Sequence, residues 1–170
     1  MNSNPASIFS LAACNLSGLP FQGNFLVPPP NWSLPSAQSV CHQAIENFNV
    51  LSRIDTTDYW TFFYRGIAKY NLGDLRGAQK DFSPSVRLNP VFTSGYHYKA
   101  ITESRFGNYD KALEDLQRAI DLRPGYIGLY FSRGVTYFLA QQFDKAVSDF
   151  DKYIRKEPKD PSAYLNRGAS

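Results

Sequence analysis

A chain of 170 residues, 43% of them hydrophobic, can bury a core of its own and has the composition of a globular protein. Its net charge of +3 and pI near 8.8 are too weak a basic bias to mark a nucleic-acid binder, whose cations cluster on one face. Two cysteines, Cys14 and Cys41, could make one bridge but no disulfide framework, and two reduced thiols behaving as small apolar residues are expected.

The first charged residue is Glu46; from Met1 to Ile45 there is no Asp, Glu, Lys or Arg. Within this stretch lies FQGNFLVPPPNWSLPS, Phe21 to Ser36. A solvated disordered tail is normally charged and poor in aromatics. Residues 1–38 are therefore expected to form an extended, uncharged segment that packs on the rest of the chain. Phe25, Leu26, Pro28, Pro29, Pro30 and Trp32 supply large apolar anchors on a stiff polyproline backbone, which limits the entropy lost on docking. Leu11-Ala12-Ala13-Cys14 has the shape of a bacterial lipoprotein cleavage site. No positive charge precedes it and the apolar run is short, so a cytoplasmic location is favoured over periplasmic or lipid-anchored export through Cys14. No stretch is long and apolar enough to span a bilayer.

A leading helix is expected over residues 39–53, within a segment running to residue 58, because Ala44, Phe48, Leu51 and Ile54 keep a helical spacing. Three gapless units follow: YRGIAKYNLGDLRGAQKDFSPSVRLNP, YKAITESRFGNYDKALEDLQRAIDLRP and SRGVTYFLAQQFDKAVSDFDKYIRKEP. They end at Pro90, Pro124 and Pro158, a period of 34 residues. Gly66, Ala100, Gly134 and Gly168 recur at one small position, and Ala78, Ala112 and Ala146 at another. Phe82, Leu116 and Phe150 stand one turn after the second. Gly73-Asp74 and Gly107-Asn108 fit a tight turn, which Gln141-Gln142 in the third unit specifies less tightly. Pro84 falls inside a helical pattern, where a kink or broken turn near residues 81–84 is expected. Arg65, Lys99, Arg133 and Arg167 recur in phase with Asp81, Asp115 and Asp149, which reads as a ladder of ion pairs, each contributing about 0.2–1 kcal/mol if exposed.

This register resembles the tetratricopeptide repeat family. The resemblance implies an all-α fold, a right-handed α-solenoid of antiparallel helix pairs, with repeats at 59–92, 93–126 and 127–160. The start of a further repeat at 161–170 is expected to be cut from a longer protein. The family's concave face is lined by the first helix of each pair. Carried over position by position, that face is Trp60, Phe63, Tyr64, Ile67 and Tyr70, then His97, Tyr98, Ile101, Ser104 and Arg105, then Phe131, Ser132, Val135 and Phe138. The family's carboxylate clamp, built from Lys, Asn and Arg, is not matched, since Phe63, Ile67, Tyr98 and Gly128 stand at sites of that kind.

The implied function is a protein-interaction scaffold that holds a peptide or partner segment in an aromatic groove. The ligand is another polypeptide or the chain's own N-terminal segment, and self-association is open. The alternative is a docking or regulatory part of a larger enzyme or membrane protein continuing after Ser170. No phosphate loop, metal-ligand spacing or nucleophile–base pair is present in the sequence, so no enzyme activity, cofactor, metal or nucleic-acid partner is expected. His97 reads as a packed residue rather than a catalytic one.

Overall fold

The computed structural model describes residues 35–170. The N-terminal expectations, including the packing of residues 1–34, the lipidation of Cys14 and the anchors Phe25, Leu26, Pro28, Pro29, Pro30 and Trp32, lie outside the described residues. The described residues are all-helical apart from their connections. They divide into two compact units, 35–90 and 91–170.

The first unit holds α1 (Pro35–Ile54), α2 (Tyr59–Asn71) and α3 (Leu75–Leu88). The α2 helix packs on both α1 and α3. Asp58 caps α2 by accepting from the Trp60 and Thr61 amides, and Asp74 caps α3 by accepting from Gly77 N. Cys41, Ala44 and Phe48 on α1 close over Ala68 of α2. Cys41 is 1% exposed and disulfide-bonded, which corrects the expectation of a reduced thiol there. A count of two cysteines carries no information on whether their geometry permits a bridge.

The second unit holds α4 (Thr93–Arg105), α5 (Tyr109–Leu122), α6 (Gly128–Leu139), α7 (Phe143–Ile154) and α8 (Pro161–Ala169). Two pairs, α4 with α5 and α6 with α7, are joined through α5–α6 and α4–α6 contacts, and α8 packs on α7. Their cores are built from the recurring small and large positions. Ala100, Ala112, Leu116 and Leu129 form one, and Phe131, Ala146, Phe150 and Tyr153 the other.

The small position is a steric requirement. A Cβ on Gly66 would lie 2.6 Å from the Phe82 ring, and one on Gly134 would lie 2.8 Å from the Phe150 ring. Both rings are fully buried and cannot swing away. The turns obey a second requirement. Gly73 and Gly107 adopt positive φ, and in the third pair Gln141 takes the same left-handed conformation at φ 59°. The turn is thus conserved in shape although its sequence is not. The α7 helix ends at Ile154, two residues before the Lys156 position at which the other second helices keep a leucine.

Pro84 breaks no turn: α3 runs unbroken across it. The ring removes one backbone donor. The hydroxyls of Ser83 and Ser85 on either side donate to the Gln79 and Phe82 carbonyls, and Phe82, Ser85 and Val86 are buried and hold the helix in place.

The ion-pair ladder is present and lies inside the protein. Arg65 forks onto Asp81 through Nη2–Oδ1 at 2.6 Å and Nε–Oδ2 at 2.9 Å, with Lys69 Nζ 2.7 Å from the same carboxylate. Arg133 forks onto Asp149 at 2.6 and 2.8 Å. Lys99 reaches Asp115 at 2.6 Å. All three aspartates are buried. The sequence expectation of exposed pairs is therefore corrected: the carboxylates sit between paired helices, where losing one partner strands a buried charge.

Asp149→Ala is expected to lower unfolding stability by about 3–5 kcal/mol, because it leaves the Arg133 guanidinium without its counter-charge. Arg167→Ala, at the exposed pair with Asp151, is expected to cost under about 1 kcal/mol. Urea denaturation followed by circular dichroism measures both. In the same assay Gln141→Gly is expected to raise stability by about 1 kcal/mol, since glycine adopts the left-handed turn without a Cβ penalty.

Candidate functional site

The residues assigned to a groove separate by depth. On α2, Trp60, Phe63 and Tyr64 form one ring cluster. The Trp60 and Tyr64 rings stack at 5.4 Å and 16°, and Phe48 of α1 stacks on Tyr64 at 6.4 Å and 20°. Tyr64 thus links the buried Phe48 to Trp60, which is 42% exposed. Phe63 turns inward against Phe82 at 5.9 Å, and Ile67 is buried. Tyr70 is half-buried near the helix end.

In the second unit, Tyr98 on α4 is half-buried and Arg105 exposed, while His97 and Ile101 are buried. On α6, Phe131 belongs to the core: it is fully buried, with its ring 5.6 Å from Phe150 and 4.9 Å from Tyr153. Val135 and Phe138 are half-buried at the edge of that core, and Phe138 packs on Phe143 at 5.8 Å.

The structure brings together several groove residues through polar contacts. His97 Nε2 lies 2.7 Å from the Ser132 hydroxyl, which also donates to the Gly128 carbonyl at 3.1 Å. Ser104 and Thr136 hydroxyls meet at 3.0 Å. These contacts form a polar seam between α4 and α6. Thr136 and Tyr126, whose ring meets His97 edge-on at 6.3 Å, were not singled out in sequence. Thr136 stands one turn after Ser132 on the same face, and that spacing is the signal that could have found it.

Burial holds the His97 imidazole well below its ordinary value of 6.5, at about 4. The unfolded chain binds the proton near 6.5 and the folded one resists it down to about 4. The stability from neutral His97 is thus fully present above pH 6.5 and is lost as pH falls through that window, by about 3 kcal/mol in all. His97→Gln, which can keep a hydrogen bond to Ser132, is expected to flatten this part of the profile when urea midpoints are compared between pH 7.5 and 4.5.

Other groups respond to burial in the same unit. It pushes the Asp115 carboxyl up against the pull of the Lys99 ammonium, which supplies a single hydrogen bond. The bonds to Asp149 push the Arg133 guanidinium up despite its burial. Burial and the hydrogen bond to Asp160 push the Tyr153 phenol up. Among the described residues no cluster of His, Cys, Asp and Glu could hold a metal ion, and no helix is long and apolar enough to cross a membrane.

No curated protein matches the chain. It is similar to the crystal structure of MamA, at 26% identity and a TM-score of 0.65 over 73% of this chain and 76% of that one. It shares its fold with MamA 41-end from Desulfovibrio magneticus RS-1, at 21% identity and a TM-score of 0.72 over 77% and 74% of the two chains. It also shares its fold with the first TPR of Spaghetti (RPAP3) bound to the HSP90 peptide SRMEEVD, at 19% identity and a TM-score of 0.63 over 67% and 90%. Two family models, both described as tetratricopeptide repeat, match residues 65–127 and 99–167, which together span 65–167. With its recurring small and aromatic positions packed in the core, the chain belongs to the tetratricopeptide repeat family.

Proposed function

We propose that this protein is an interaction scaffold that holds an extended polypeptide segment against the aromatic faces of its first helices, without a carboxylate clamp. The observation that carries the reading is the Trp60–Tyr64 stack on α2, which reaches from a buried ring to the surface. Stacked rings of this kind present a large, rigid apolar face at little entropic cost, the property that anchors protein contacts. In the second unit Tyr98, Val135 and Phe138 are half-buried and Arg105 is exposed, so each unit offers apolar area with polar groups beside it. Phe63, Ile67, Tyr98 and Gly128 carry no cation for a terminal carboxylate, which favours an apolar or proline-containing ligand. Support for a polypeptide ligand also comes from the structural neighbour that holds an HSP90 peptide. The chain's own residues 21–36 have the required composition of aromatic anchors and prolines, and they are the first candidate ligand.

Placing a photo-crosslinking amino acid at Tyr64 or Tyr98 of the full chain tests this reading. Crosslinks are expected to concentrate on one extended apolar segment, either residues 21–36 or a segment of another polypeptide, when the products are mapped by mass spectrometry. The same label at the exposed Lys80 of α3 is the control. A crosslink pattern from Tyr64 and Tyr98 no different from that of Lys80 would reject the proposal.

A further inference from the structure

A cleft of about 440 Å³ opens in the second unit between the α5–α6 connection, the start of α6 and the end of α7. Its walls are Pro124, Ile127, Tyr130, Lys152, Arg155 and Lys156. None of these belongs to the aromatic faces described above. Three walls are apolar or aromatic and three are cationic, and no carboxylate lines the space.

The cations are arranged rather than scattered. The Lys152 ammonium sits 5.2 Å above the Tyr130 ring and 3.6 Å from Asp149 Oδ1, so its stem is pinned along the wall. Arg133 also sits over Tyr130, with its guanidinium carbon 5.4 Å from the ring centroid. Arg155 and Lys156 are exposed and make no ion pair among the described residues. A helix C-terminus attracts cations, but a single one occupies the last turn of other helices, as with Lys69 on α2, Arg87 on α3 and Arg105 on α4, and α5 and α6 have none. Here Lys152 is followed three and four residues later by Arg155 and Lys156, and all three line one concave space.

We propose that this cleft is a second docking site, for an acidic peptide segment that carries an apolar side chain. Ile127, Pro124 and Tyr130 receive the apolar side chain, and Arg155 and Lys156 meet the carboxylates around it. Charge complementarity fixes the sign of the ligand, and the apolar wall selects a peptide over a nucleic acid, which needs a longer basic track than three cations supply. A site of this size suits a short segment and a weak, salt-sensitive contact.

The test uses the full chain and a fluorescein-labelled glutamate-rich peptide with a central leucine, followed by anisotropy at low salt. Binding is expected, with about tenfold loss for Arg155→Glu combined with Lys156→Glu and for the peptide whose glutamates are replaced by glutamine. Circular dichroism checks that the charge-reversed protein keeps its helices. If it does not, Arg155→Gln takes its place, with a loss of about threefold expected. Unchanged binding by a folded variant would overturn the proposal. So would tighter binding to a polyuridine oligonucleotide or to phosphatidylserine vesicles than to the peptide. Tyr64→Ala leaves this binding intact if the two sites are separate, and a matching loss there would place the peptide on the aromatic face instead.

Discussion

The structure depends on a cation carried by the first helix of each pair, one residue before the small position. Arg65 and Arg133 each fork onto an aspartate sixteen residues later, on the second helix of the same pair. Each also reaches sixteen residues back: Arg65 to Asn49 at 3.1 Å and Arg133 to Gln117 at 2.6 Å. The missing side chain at Gly66 or Gly134 lets the helices close until an aromatic edge fills the gap. That closure takes the aspartate out of water. A carboxylate buried so deeply is tolerable only with strong partners, and a planar guanidinium supplies two parallel bonds where an ammonium supplies one. The second pair shows the weaker solution. Asp115 faces a lysine, and burial pushes its carboxyl up. Steric fit and charge pairing are therefore one constraint, because changing the glycine changes the distance over which the charges meet.

Most of this scaffold could be read from the chain. A 34-residue period placed the small residues, the rings and the closing prolines, because each is dictated by contacts that recur with the repeat. The phase of the cations against the aspartates identified the pairs. Their depth could not be read, since burial is decided by how closely two helices approach and not by spacing along one of them. Two local preferences were overridden for related reasons. Gln141 follows the turn that its neighbours impose, although a glutamine does not prefer that conformation. Pro84 stays in an unbroken helix because Phe82 and Val86 on that helix are locked in the core. Packing overrode local preference in both places.

The candidate site was legible as a set of positions and much less as a surface. Helical spacing puts Phe63, Ile67 and Phe131 on the first helices, but neighbouring helices cover them, and Phe131 is wholly core. Trp60, Tyr64 and Tyr98 retain accessible area. The link from His97 to Ser132 spans 35 residues, one more than the repeat, and that from Ser104 to Thr136 spans 32. Neither offset follows from the period, so the polar seam between α4 and α6 emerges only from three-dimensional placement.

The backward reach of Arg133 bears on how the second unit comes apart. A cation tied only to its own pair would let each hairpin melt alone. Because one guanidinium grips both the preceding and the following helix, opening α6 from α7 frees from its carboxylate the same group that holds α5. A defect at the Arg133–Asp149 pair is thus felt in the repeat before it.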